Sequence, residues 1–465
     1  MNKCPGIRPK GIGEVGDRFL SKTMAHVTRD DVKNECGSDQ LCSGIKGEIE
    51  AAVHGMQDLF QNNCDDGWGL LLVDASNAFN SMSRLAALWN ARVLWSRCFI
   101  FLFNSYQGYA VLIVRGASSF ILSKEGVTQG DPLGMMFYGV GILPLTRKLK
   151  KGSDFLNEQK QMCDHDANFD WNQNWYADDS ACASILKEIV LWLKLLIAEG
   201  PKYGYHPEPD KSYLIVHPDW VEEANKLFCE FKVNVVTGHR FLGGFVGGVE
   251  DTEKWIHEKV QVWSKAVQTL SKAAQSQPHL AYVSFTKSLQ NEWSYIQRVV
   301  ANVEKPFSLL KAIIVNDFLP SLFGNDLDNM EASIIMMSTH NGGLGIRDPV
   351  STAETSFQSS HEGTLILSQA ITLGGPFDID KHEIQIKAVK KAFNAQHDQI
   401  EVAKADILIQ TLPPSRQRTI NRVRKGDCST WMSMIPTQDN QFYMNAYEFR
   451  DSIACLLYTS PSPRD

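Results

Sequence analysis

Residues 174–183 read NWYADDSACA, two adjacent aspartates set between aromatic and small residues. With the residues just before it, from Trp171, the stretch has the pattern of two short strands around a tight acidic turn. Upstream, residues 68–76 read WGLLLVDAS. A continuous apolar run that ends in a carboxylate is the pattern of a buried central strand with a polar group at its tip. Between the two lies EGVTQGDPLG at 125–134, a turn that leads into a helix over 132–150 opened by Pro132.

The rest of the chain up to about residue 250 mixes strands and helices. Residues 7–19, IRPKGIGEVGDRF, have a Pro/Gly-rich strand-and-turn pattern, and 43–60 a helical one. Helical spacing also runs over 78–103 and 185–199. Residues 109–114 and 119–123 read as a hairpin across Arg115-Gly116-Ala117-Ser118. Residues 211–217 read as a strand and 241–249 as a glycine-rich strand pair. After Thr252 helical patterns dominate, over 253–274, 279–302, 306–322 and 378–406, until Pro413-Pro414 breaks them. NGGLGI at 341–346 marks a turn. Trp255, Trp263 and Trp293 on these helices read as core.

With 43% hydrophobic and 21% charged residues the composition is globular, and 465 residues suggest several domains. The net charge of −7 counts against gripping a polyanion unless positive charge is concentrated locally. Residues 381–425 supply such a concentration, with ten Lys/Arg against four Asp/Glu. That stretch suits a phosphate backbone or a solvated helix face equally well. None of the ten cysteines forms a CxxC pair, which removes a zinc ribbon and fits a reducing intracellular compartment, nucleus or cytoplasm. No apolar leader follows Met1, and the most apolar uncharged run, 98–114, holds Asn104, Ser105, Gln107 and Gly108. It falls short of the ~20 apolar residues of a spanning helix, so no membrane is expected. Residues 455–465, CLLYTSPSPRD, resemble the translation of a transposase-type sequencing adapter and are set outside the fold.

Each acidic signal is weak alone, since an acid at a strand end is commonplace. In this order and spacing they resemble the reverse transcriptase family. DASNAFN (74–80) is similar to the family's motif A, QGDPL (129–133) to motif B, and YADD (176–179) to motif C. Weaker likenesses follow. Arg8-Pro9 looks like the fingers strand that touches the triphosphate, GYHPEPDK (204–211) like motif D, and Phe241-Leu242-Gly243 like the primer grip. NGGLGI resembles a segment downstream of the polymerase in retroelements without long terminal repeats.

The resemblance implies an α+β, right-hand polymerase. Its parts would be partial fingers (1–66), a palm with an antiparallel sheet (67–250), a helical thumb (251–365) and a basic, mainly helical C-terminal extension (366–454). It implies an RNA template, a DNA primer and dNTPs, with two Mg²⁺ ions, or Mn²⁺ in their place, held by Asp74, Asp178, Asp179 and the Ala75 carbonyl. Phe79 would be the steric gate against a 2′-hydroxyl, because an aromatic ring cannot hydrogen-bond that group. Gln129 and Gly130 would lie near the templating base and incoming nucleotide, and glycine allows close backbone approach. Lys211 would donate a proton to pyrophosphate or stabilise its charge. Arg8 would fork onto triphosphate oxygens. The second basic residue that family fingers normally place upstream of the Arg8 position is missing, so the chain is expected to be a fragment. Two other readings stand beside this one: a decayed, inactive RNA-binding copy, and an RNA-templated RNA polymerase.

Overall fold

The computed structural model describes residues 13–63, 66–113, 120–161, 171–426, 429–437, 439 and 441–458. They divide into two compact units. One comprises the described residues up to Gly248 together with Thr364–Ile386, and the other Val249–Gly363 with the described residues from Lys387 onward.

The first unit opens with helices α1 (Val15–Cys36) and α2 (Glu48–Asn62). Strand β1 (Trp68–Val73) follows, and then three helices, α3 (Ala78–Ser81), α4 (Arg84–Leu94) and α5 (Ser96–Tyr106). A hairpin of β2 (Ala110–Ile113) and β3 (Phe120–Ser123) leads to the long α6 (Gly134–Gln161). Strands β4 (Asn172–Tyr176) and β5 (Asp179–Ile185), helix α7 (Leu186–Glu199), strand β6 (Tyr213–Val216), helix α8 (Val221–Leu227) and strand β7 (Asn234–Val236) come next. The hairpin β8 (Gly238–Phe241) and β9 (Gly244–Gly247) closes this part.

The main sheet has the order β4-β5-β1-β6-β7. The apolar run at 68–73 takes the central position, antiparallel to β5 and β6, as a strand apolar on both faces requires. The sheet is not wholly antiparallel, because β7 arrives after the α8 crossover and pairs parallel with β6. Trp175 of β4 packs on Trp192 of α7 at 6.3 Å, and Leu186, Ile189, Leu193 and Leu196 bury the same helix face. Ser368 and His382 anchor the 364–386 segment to this unit. Ser368 Oγ donates to Ala51 O at 3.1 Å, and His382 Nε2 lies 2.8 Å from Lys46 O.

Three expectations need correction. The strand-and-turn reading of 7–19 fails from Val15 on, where α1 begins; its first residues lie outside the described ones. The helical span 78–103 is three helices, broken at Met82-Ser83, where the Ser83 hydroxyl caps α4 by accepting from Ala86 N at 3.3 Å, and again at Trp95. The helix expected over 132–150 starts at Gly134 and runs through Pro144 to Gln161.

The second unit is helical: α9 (Val249–Ser276), α10 (Pro278–Ser284), α11 (Gln290–Val299), α12 (Glu304–Ile313), α13 (Leu319–Phe323) and α14 (Asn329–Ile335). Single π turns join α10 to α11 and α12 to α13. Helices α15 (Ala353–Leu373) and α16 (Ile379–Gln410) each belong partly to this unit, and α17 (Pro414–Lys425) and α18 (Ala446–Leu457) complete it. The tryptophans are core, as expected: Trp263 stacks on Phe307 at 5.9 Å and meets Trp293 edge-on at 6.0 Å. Residues 304–323 are apolar and long enough to cross a membrane by length and composition, and Phe307, Leu310, Ile314, Phe318, Leu319 and Leu322 are buried in this unit.

Arg450 of α18 donates to Gln275 O at 3.0 Å and to Leu322 O at 3.2 Å, so one cation serves the carboxyl ends of α9 and α13. Helix α18 continues to Leu457, Leu456 and Leu457 are buried, and the Tyr458 hydroxyl donates to Glu331 Oε1 at 2.8 Å.

Candidate active site

Cross-strand register brings the acids of 68–76 and 176–179 to one end of the sheet. Val73 of β1 is paired with Ser180 of β5, and Asp74 and Asp179 are the next residue outward on each strand. Side chains alternate along a strand. Val73 and Ser180 are buried, and Asp74 and Asp179 are exposed. Asp178 is half-buried, in the two-residue turn between Tyr176 and Asp179. Burial foremost raises the Tyr205 phenol, and the charges of Asp178, Asp179 and Asp74 all raise it further.

The turn is held from outside. Ala177 occupies its first central position with φ 52, the sign a type II′ hairpin turn needs there and one that alanine resists. Gln40, fully buried between α1 and α2, pairs with both backbone groups of Ala177. Its Oε1 accepts from Ala177 N at 2.8 Å, and its Nε2 donates to Ala177 O at 3.2 Å. Leu41 N donates to Trp175 O at 2.8 Å, which holds residues 40–41 beside the end of β4. From the other side the Tyr205 hydroxyl donates to Asp178 O at 3.0 Å and lies 2.9 Å from Ser180 Oγ.

Asp74 is fixed through its backbone. Its N–H donates to Ser212 Oγ at 3.1 Å, and its carbonyl accepts from Glu208 N at 2.8 Å. Ser76 N donates to His206 O at 2.8 Å, so Ala75 pairs with Pro207 through its neighbours' hydrogen bonds. In that arrangement the carbonyl of Ala75 itself is turned away from Pro207.

Phe79 stacks on the buried Tyr138, with ring centroids 4.4 Å apart and planes at 25°. Tyr138 is raised by burial first, and Asp178 and Asp179 add to it, so the Phe79 ring lies beside a group that senses the acids. Its carbonyl accepts from Val127 N at 2.7 Å, which ties 74–80 to 125–134. Gly126 makes this contact possible: it has φ 72, and a Cβ there would lie 2.3 Å from Phe79 O. The buried Arg84 secures the loop, donating to the carbonyls of Gly108 at 2.7 Å, Ser123 at 3.1 Å, Glu125 at 3.0 Å and Gly126 at 3.0 Å. Gln129 is half-buried and Gly130 exposed, with φ 117. Asp131 fixes the turn after them, with one oxygen accepting from Leu133 N at 3.0 Å and the other from the Tyr106 hydroxyl.

Lys211 is exposed at the end of the turn that follows Glu208, and its Nζ lies 2.8 Å from Glu208 Oε1. The Glu208 carboxylate foremost, with Asp210 and Asp74 adding to it, raises the ammonium above its ordinary range. Phe241 ends β8 and is buried. Leu242 and Gly243, with φ 46 and 81, form the β8–β9 turn, as a type I′ hairpin demands. His239 of β8 stacks on Tyr213 of β6 at 3.7 Å, and Gln57 of α2 exchanges two 3.1 Å hydrogen bonds with Gly247. Arg8 lies outside the described residues.

No family model matches the chain, and a search of curated proteins returns no match. Solved structures that are similar to it in part include two telomerases. Apo telomerase from Candida tropicalis superposes with a TM-score of 0.38 and 10% identity, over 76% of this chain and 59% of that one. Telomerase from Candida albicans, in complex with the TWJ fragment of telomeric RNA, gives 0.39 and 11%, over 87% and 57%. The chain thus spans less than two thirds of either neighbour.

Among the described residues no three His, Cys, Asp or Glu side chains form a ready-made metal cage. The donors do suit Mg²⁺: hard carboxylate oxygens at the ends of adjacent strands, and a backbone carbonyl turned from its strand partner. Magnesium is commonly held by one or two carboxylates plus substrate phosphates rather than by an all-protein cage. Gln40, Arg84, Tyr205 and Ser212, which position these groups, carry no sequence signal of their own. Only Tyr205 fell inside a quoted motif.

Proposed function

We propose that the chain is a reverse transcriptase of the retrotransposon type without long terminal repeats, adding deoxynucleotides to a primer 3′-hydroxyl on an RNA template. One observation carries the reading. Asp74 and Asp179, 105 positions apart in sequence and each in its own motif, stand side by side at one end of the sheet because Val73 is paired with Ser180, and Asp178 is the next residue, in the turn. Asp74 and Asp178, with Asp179 beside them and the Ala75 carbonyl, would hold two Mg²⁺ ions, which when bound supply activation of the 3′-hydroxyl and neutralisation of the leaving pyrophosphate.

The chain's own residues do the rest. The Gln40 and Tyr205 contacts keep the Ala177–Asp178 turn in one conformation, so Asp178 is preorganised. Phe79, backed by Tyr138, presents a ring that gives a ribose 2′-hydroxyl no partner. Gln129 and Gly130 line the approach of the incoming nucleotide. Lys211 donates a proton to the pyrophosphate or stabilises its charge. The Phe241-Leu242-Gly243 turn grips the primer, and Arg8 binds the triphosphate.

Primer extension by the full chain, with an RNA template, DNA primer, dNTPs and Mg²⁺, tests the proposal. Wild type should extend the primer, and Asp178→Asn should lower the rate by at least ~100-fold, the scale seen when one transition-state contact is removed. Equal extension by both proteins would contradict it.

A further inference from the structure

Helix α17, Pro414–Lys425, carries Arg416, Arg418, Arg422, Arg424 and Lys425 and no acidic residue. Two of these cations are used within the unit. Arg416 lies 3.5 Å from Glu331 and over the Tyr458 ring, and Arg424 lies 2.7 Å from Asp406. Arg418, Arg422 and Lys425 are exposed, and none has an acidic partner among the described residues. The next acid in sequence, Asp427, lies outside the described residues. At ~100° and 1.5 Å per residue the three fall within about 60° of arc and about 10 Å of helix.

The opposite face, Thr419, Ile420 and Val423, is buried. Its seat is the NGGLGI turn, a motif with no part in the catalytic reading. Gly342 has φ 88, and a Cβ on it would lie 2.6 Å from Ile420 Cγ2; a Cβ on Gly343 would lie 2.2 Å from Met337 O. Gly342 thus lets the turn lie close against α17 and fixes which of its faces looks outward, while Gly343 lets the turn fold back on the backbone of Ile334 and Met337.

We propose that the Arg418, Arg422 and Lys425 face of α17 docks on the sugar–phosphate backbone of a nucleic acid. Three successive phosphates of one strand cover about 7 Å of duplex axis, within the reach of three long side chains spread over about 10 Å. Arginine forks match phosphate oxygens. An anionic lipid surface suits the helix less well, since membrane-surface helices bring an apolar face to the bilayer and that of α17 is already buried.

The test is fluorescence anisotropy of the full chain with labelled RNA–DNA hybrid, double-stranded RNA and double-stranded DNA, between about 50 and 200 mM salt. Changing Arg418, Arg422 and Lys425 together to Gln should weaken binding to at least one probe at least ~10-fold. It should also flatten the slope of log K against log salt by about 2 to 3, as expected for three lost phosphate contacts. Arg422→Gln alone should flatten it by about 1. The probe most affected identifies the natural strand. Asp178→Asn should bind as wild type does, so loss of catalysis and loss of this surface are separable. Unchanged slopes, no binding by wild type, or variants that lose only binding to phosphatidylserine vesicles would overturn the proposal.

Discussion

Gln40 and Ala177 close a ring of two hydrogen bonds, 2.8 and 3.2 Å long, across 137 positions of sequence. The ring is fully buried on the Gln40 side and holds the turn that presents Asp178. Gln40→Ala would leave the N–H and C=O of Ala177 without partners in a dry site, at a cost of about 1–3 kcal/mol for each group left unsatisfied. Urea denaturation should show the lowered stability. Primer extension below the unfolding range should show a reduced maximal rate with little change in nucleotide KM, because Gln40 touches no substrate. An unchanged rate would mean the turn holds its shape unaided.

Phe79 packs one face on Tyr138, and its carbonyl ties 74–80 to 125–134 through Val127 N. Phe79→Ala should cost about 2 kcal/mol in stability, below the range for a fully buried phenylalanine because the ring is half-buried. It should also raise ribonucleotide incorporation relative to deoxynucleotide. Stability loss without a change in sugar selection would make Phe79 a core residue only.

Glu48, the first residue of α2, ties down the turn before the helix with one oxygen, accepting from Gly44 N at 3.2 Å and Ile45 N at 2.9 Å. Burial dominates over these bonds and pushes its carboxyl up to about 8 from 4.5. The folded state therefore holds a proton that the unfolded chain releases, so stability falls as pH rises from about 4.5 to about 8. Glu48→Gln keeps one acceptor oxygen and removes the titration. Urea midpoints at pH values either side of this window should separate for wild type and converge for the variant; parallel midpoints would contradict the assignment.

Arg84 gathers four carbonyls of the 108–126 loop. Lysine cannot reproduce the planar fork. Arg84→Lys should cost more than ~1 kcal/mol and loosen the Val127–Phe79 link, seen as faster amide exchange at Val127. Gly126→Ala should be worse, since it adds backbone strain at φ 72 to a clash.

What the sequence made legible follows from how strongly each element is written. β1 stands out because a strand buried on both faces must be apolar throughout, and β5 because its acids sit beside small buried residues. The acids stood out through the order and spacing of their motifs rather than singly, since an acid at a strand end is commonplace. Helix α1 was not, since the residues it buries are Ser21, Thr28, Val32 and Cys36, whereas Phe19 and Leu20 face outward. An apolar periodicity is nearly absent there. β7 is three residues long and has no pattern to show. Gln40, Ser212 and Arg84 act through partners far along the chain, and a buried clamp looks in sequence like any other polar residue.

The central claim is that Asp74 and Asp178 share one pair of cations. Anomalous diffraction from crystals of the full chain with primer–template, dNTP and Mn²⁺ tests it most directly. The account predicts two peaks about 3.5–4 Å apart, each touched by both carboxylates. Peaks elsewhere, or at only one of the two acids, would contradict it.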